Sequence, residues 1–141
     1  TALVHQHHDG WMPWVGDLPH RQGGAMISDR EGVSTAHALE NLQLRGELFV
    51  GAGEPVYEGM IIGEHSRPDE LPANPTKTKQ LKKMRTANSD DGVKLRVPRE
   101  LTLETAIEWI GSDELVEVTP SSIRVRKRHL TESERKLAAK R

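Results

Sequence analysis

Glycine and proline break up the apolar pattern of this chain at short intervals. Twelve Gly and eight Pro among 141 residues favour short strands and short helices, since neither residue sits well inside a regular element. Gly24–Ser28 reads as a short apolar strand. Leu48–Val50 and Met60–Ile62 read as two more, held between glycines and joined by Gly51-Ala-Gly53-Glu-Pro55. Ser34 to Arg45 has a helical period, with Ser34 as cap, Ala38, Leu39 and Leu42 as the inward stripe, and Gly46 as the stop. Pro68 to Pro75 reads as a loop, Thr76–Met84 as a basic helical turn or an ordered loop, and Val93–Val97 as an alternating strand with Lys94 and Arg96 on its wet face.

Toward the C-terminus, Thr102 caps a helix through Ile110 that buries Leu103, Ala106, Ile107 and Ile110 and ends at Gly111. Glu114–Thr119 and Ser122–Arg128 form a hairpin around Pro120-Ser121, and Thr131-Glu-Ser-Glu134 is a capping box for a last helix, Glu132–Lys140. Short mixed and antiparallel strands with about three helices predict an α+β fold. Aromatic residues make up only 4% of the chain, so the expected core is aliphatic and thin. The absence of cysteine excludes disulfides, thiolate metal sites and a cysteine nucleophile. No apolar run approaches the roughly 18–20 residues that span a bilayer, so no membrane partner is expected.

Charge is divided unevenly. Lys77 to Arg99 holds eight cations against Asp90 and Asp91, and Ser121 to Arg141 holds eight against Glu132 and Glu134, a net +6 in each stretch. The other 97 residues carry four cations and seventeen carboxylates, a net −13. The formal −1 of the whole chain therefore hides an acidic body with two basic pieces. Such asymmetry points to a polyanionic partner. In Ser122-Ile-Arg-Val-Arg-Lys-Arg128 a strand puts Ile123, Val125 and Lys127 on one face. Arg124, Arg126 and Arg128 form a row on the other, about 6–7 Å apart. Phosphates along a nucleic-acid strand recur on that scale, and each guanidinium offers a planar fork of donors. In Asn74–Arg85, Leu81 and Met84 anchor a segment from which Lys77, Lys79, Lys82, Lys83 and Arg85 project. Trp11 and Trp14, flanking Pro13, are suited either to stacking on a base or to covering a small core.

Enzymatic patterns are sparse. His5-Gln-His7-His8-Asp9 resembles the H-x-H-x-D-H signature of metallo-β-lactamase-type hydrolases, but Gly10 stands at the final His position. His5, His7 and Asp9 remain a candidate set for a small metal-dependent hydrolase. No phosphate-gripping G-x-x-x-x-G-K-[ST] loop is present, and Gly51-Ala-Gly53 lacks the third glycine of a dinucleotide loop. A third alternative is a protein-interaction domain that works through its acidic body.

Four segments together resemble one family. Leu39–Arg67 (LENLQLRGELFVGAGEPVYEGMIIGEHSR), Asn74–Arg85 (NPTKTKQLKKMR), Leu101–Ile110 (LTLETAIEWI) and Asp113–Arg135 (DELVEVTPSSIRVRKRHLTESER) are similar, in order and spacing, to the BipA/TypA translational GTPases, relatives of elongation factor G. The resemblance implies that residues 1–17 are the end of an elongation-factor-G-like fifth domain, that residues 18–141 are the C-terminal domain peculiar to the family, and that the chain is a piece of a longer protein. It further implies a cytoplasmic module that binds the ribosome and is not enzymatic by itself. GTP and Mg would belong to an upstream domain, and no cofactor is expected here. The expected partners are large-subunit rRNA and the acceptor end of A-site tRNA, with the basic loop Asn74–Arg85 near the peptidyl-transferase region. The wider roles implied are ribosome biogenesis and translation under stress. Lys82 and Lys83 stand where the family pattern suggests a small polar pair, and the His-rich opening replaces a more apolar strand. The expected phosphate contacts are Lys77, Lys79, Lys82, Lys83, Arg85, Arg124, Arg126, Lys127 and Arg128.

Overall fold

The computed structural model describes residues 7–13, 21–79 and 94–140. Their elements are short, as the glycine and proline spacing requires. Eight strands run in chain order: β1 Ala25–Ser28, β2 Gly32–Val33, β3 Gly46–Leu48, β4 Pro55–Val56, β5 Met60–His65, β6 Leu71–Ala73, β7 Glu114–Val118 and β8 Ile123–Lys127. Three helices of seven residues each join them: α1 Ala36–Leu42, α2 Leu103–Trp109 and α3 Glu132–Ala138. A helix that short does not hold its shape alone in water, so caps and docking must maintain all three. The α+β expectation is borne out.

Six strands make one sheet in the order β6-β1-β5-β8-β7, with β3 also paired to β5, while β2 and β4 form a two-residue ladder apart from it. All pairings in the main sheet are antiparallel except β1 with β6. Strand alternation gives the sheet two apolar faces. One buries Met26, Met60 and Ile62 with Leu39 of α1, Leu48, Val50, Val56 and Ala73. The other buries Ala25, Ile27, Ile61 and Val125 beneath Ala106 and Trp109 of α2. Full burial of each aliphatic side chain contributes about 1.5–3 kcal/mol.

Several boundaries differ from the sequence reading, each for a visible reason. Thr35, not Ser34, caps α1, because its hydroxyl accepts the Ala38 N–H at 3.2 Å. Ser34 is buried, donates to the Gly51 carbonyl at 2.6 Å and accepts from the Glu54 N–H at 3.0 Å, tying down the glycine turn. Gly46 opens β3 rather than stopping α1. A Cβ there would fall 1.9 Å from the Glu64 carbonyl oxygen, so a glycine is needed where the two backbones meet. The stretch read as a loop through Pro75 contains β6, an edge strand that tolerates Pro72.

In α2, Ala106 and Trp109 face the core, whereas Leu103 and Ile107, expected inside, are 40% and 57% exposed. Lys94–Val97 forms no strand. Its ladder partner is instead the Gln43 side chain, which donates to the Lys94 carbonyl at 2.7 Å and accepts the Arg96 N–H at 3.0 Å. The last helix carries its expected capping box between Thr131 and Glu134. No helix among the described residues is long and apolar enough to cross a membrane.

Candidate nucleic-acid interface

The arginine row rests on the β7–β8 hairpin. Val116 pairs with Val125 and Glu117 with Arg124, so Arg124 and Arg126 point away from Val125 and its core. On its other side β8 pairs with β5, Met60 against Arg126, which puts the guanidinium groups on the Met60 face of the sheet. Tyr57 reports the same geometry. Burial, and then the hydrogen bond that its hydroxyl donates to Glu117 at 2.7 Å, push the phenol pKa up, while the nearby Arg126 and Arg124 charges pull it down. Arg124 and Arg126 are half-buried and Arg128 is exposed. Among the described residues, none of the three has a carboxylate oxygen within 4.0 Å. Arg126 donates to the Lys127 carbonyl and Arg128 to the Ser112 carbonyl, contacts that orient the two heads without neutralising them.

Lys127 does not belong to this row. It sits one residue out of phase, on the Val125 face, and is 1% exposed. Its ammonium meets Asp113 at 2.8 Å, Glu114 at 2.9 Å and Glu70. Burial disfavours the charge, but the hydrogen bonds to Asp113, Glu70 and Glu114 outweigh it and the pKa is raised. For Asp113, burial likewise opposes ionisation, and the hydrogen bond from Lys127 overcomes it to lower the pKa. The expected phosphate contact at Lys127 is therefore corrected: the protein's own carboxylates surround this cation.

Glu114, itself buried, also takes both guanidinium nitrogens of Arg21 at 2.7 Å and the Gly111 N–H at 2.8 Å. Arg21 in turn lies 3.8 Å over the Trp109 ring. Sequence reasoning missed this network of Arg21, Glu70, Asp113 and Glu114. Its one legible signal was alternation in the hairpin, which puts Glu114 and Lys127 on the inward side.

The basic loop leaves from the same end of the sheet as the arginine row. Ser28 pairs with Ala73, the Gly59 N–H donates to the Ser28 carbonyl, and Met60 pairs with Arg126. The end of β6 is thus three strand spacings from Arg126, about 14 Å. From Ala73 the chain turns at Asn74, whose side-chain oxygen accepts the Thr76 N–H and hydroxyl. Buried Pro75 accepts the Thr35 N–H, and the Thr35 hydroxyl donates to the Lys77 carbonyl at 2.6 Å. Lys77 and Lys79 are exposed. Lys82, Lys83 and Arg85 lie outside the described residues.

Little supports the metal-site alternative. His7 and Asp9 are exposed in a stretch without regular structure, and His5 and Trp14 lie outside the described residues. Trp11 is 95% exposed, beside the His8 ring. Among the described residues only Glu70, Asp113 and Glu114 gather as carboxylates able to hold a cation, and the Lys127 ammonium sits among them.

Comparison with known proteins identifies relatives over most of the chain. Residues 23–132 match the model of the TypA/BipA C-terminal domain. The chain is 51% identical, over 98% of its length, to a protein of Escherichia coli named large ribosomal subunit assembly factor BipA. Relatives of the same name in Synechocystis and Buchnera aphidicola are 50% and 48% identical over 83% and 86% of the chain. The chain spans 20–23% of the length of these relatives. With that match covering most of its residues, the chain belongs to the TypA/BipA C-terminal domain family.

Proposed function

We propose that this domain docks on RNA of the large ribosomal subunit, through Arg124 and Arg126 on β8 and Arg128 just past its end, and through Lys77 and Lys79 at the base of the loop. Lys82, Lys83 and Arg85 extend the contact in the direction of the A site and the tRNA acceptor end. The observation that carries this reading is the guanidinium row at the β7–β8 hairpin, which has no carboxylate oxygen within 4.0 Å among the described residues, although Glu117 stands across from Arg124. Like charges spaced so closely repel one another until an anion lies over them. The name of the relatives, large ribosomal subunit assembly factor, supplies the class of partner. In this reading the domain begins near Leu18, works in the cytoplasm in ribosome assembly and translation under stress, and leaves GTP and Mg to an upstream domain.

Co-sedimentation with isolated large subunits over a range of salt tests the proposal. About five engaged cations give a log–log salt slope of about −4. Replacing both Arg124 and Arg126 by Ala makes the slope shallower by one to two units, roughly one per lost phosphate contact. A flat salt response, or a double variant that binds like the parent, overturns it.

A further inference from the structure

Between α1 and β6 lies a recess of about 520 Å³, within the range of small-ligand sites, about 300–1,000 Å³. Its walls differ in chemistry. Leu42 and Leu71 offer an apolar surface, while Asn41, Arg45, Asn74 and Lys77 bring polar and cationic groups to the rim. No Asp or Glu lines it, although the body of the protein is acidic. Asn41 near the end of α1 and Arg45 in the turn that follows it line one wall, and Asn74 and Lys77 just past β6 line the other.

The polar atoms left over are specific. The Asn41 amide donates one N–H to the His37 carbonyl at 2.9 Å, leaving its carbonyl as an acceptor and its second N–H as a donor. The Asn74 oxygen is taken by Thr76, leaving its amide as a donor. A donor and an acceptor above an apolar floor suit the edge and face of a nucleobase, and the two flanking cations suit its phosphate.

We propose that this recess takes one unstacked nucleotide of the docked RNA. Its base would lie against Leu42 and Leu71, its edge would face the Asn41 carbonyl and the Asn74 amide, and its phosphate would lie between Arg45 and Lys77. The site rests on the RNA-docking reading for the presence of RNA at this face. It adds what that reading lacks, a contact that distinguishes a base from a bare phosphate backbone.

The test uses the chain with two probes, a single-stranded RNA pentamer whose central base is 2-aminopurine and a pentamer of equal charge that is abasic at that position. Binding of the first is expected to change 2-aminopurine fluorescence, and Asn41→Ala, at an exposed helical position, is expected to weaken it about fivefold. The same substitution leaves the abasic probe unaffected, whereas Lys77→Ala weakens both. Equal affinity for the two probes, or an Asn41→Ala variant that does not separate them, overturns the proposal. Co-sedimentation of the Arg124→Ala/Arg126→Ala variant with large subunits reads the docking separately, so loss of one result is not mistaken for loss of the other.

Discussion

Replacing Lys127 by Met separates a structural cation from a ligand-binding one. In the folded chain its ammonium is the shared counter-charge of Glu70, Asp113 and Glu114. Met keeps most of the side-chain volume and removes the charge. Breaking a buried ion pair from one side costs about 3–5 kcal/mol. The lower end applies here, because Glu114 keeps Arg21 and the Gly111 N–H, and the Asp113 and Glu70 side chains are 59% and 45% exposed, so water can take them back. A loss of about 3 kcal/mol in a domain of this size lowers Tm by roughly 10 °C. Thermal and urea melts followed by circular dichroism measure it, and RNA binding measured well below the melt is expected to be retained.

The pH dependence supplies a second readout. The folded-state pKa of Lys127 is raised, so its contribution is fully present below the unfolded value near 10.4 and is lost as pH rises through the folded value. The Met variant lacks that alkaline loss. A Lys127→Met chain that melts like the parent while losing RNA affinity refutes the assignment and returns Lys127 to the binding surface.

Further outcomes follow from the same geometry. Gly59 has φ +85° and a Cβ there would lie 2.6 Å from the Leu130 Cα, so Gly59→Ala lowers the urea midpoint by an amount worth at least about 1–2 kcal/mol. Thr131→Ala removes the capping box of α3 at a cost of about 1 kcal/mol, visible as faster amide exchange across Glu132–Ala138. The lowered pKa of Asp113 makes its contribution present above the unfolded value near 3.9 and lost as pH falls through the folded value. Acid melts of Asp113→Asn are therefore less steep than those of the parent.

Elements with local signatures were legible in the sequence. Thr131 to Glu134 spells out its own capping box, and the alternation of Ile123 to Lys127 fixes both faces of β8. Harder to read were features that depend on distant neighbours. Leu103 and Ile107 fit a buried helical stripe, but Trp109 docks the helix by a different face because its indole N–H reaches Glu64 at 2.7 Å and its ring lies under Arg21. No local pattern announces a partner 45 residues away. The same holds for the site. Phase along β8 already put Lys127 with Val125, yet cation counting grouped it with the arginines. Only the carboxylates of Glu70, Asp113 and Glu114, brought in by other elements, settle that burial outweighs proximity in sequence.

Helix α1 fastens the chain at both of its ends. At its start Thr35 holds the Lys77 carbonyl, and just past its end Gln43 holds Lys94 and Arg96. Seven helical residues measure about 10 Å, so this small rod works as a gauge block for the gap between the outgoing and returning strands of peptide. Whatever route residues 80–93 follow, their departure and arrival points are fixed to a common ruler. Lengthening or unlatching that ruler, for instance at Gln43, would shift Lys77 and Lys94 relative to each other without touching either cation.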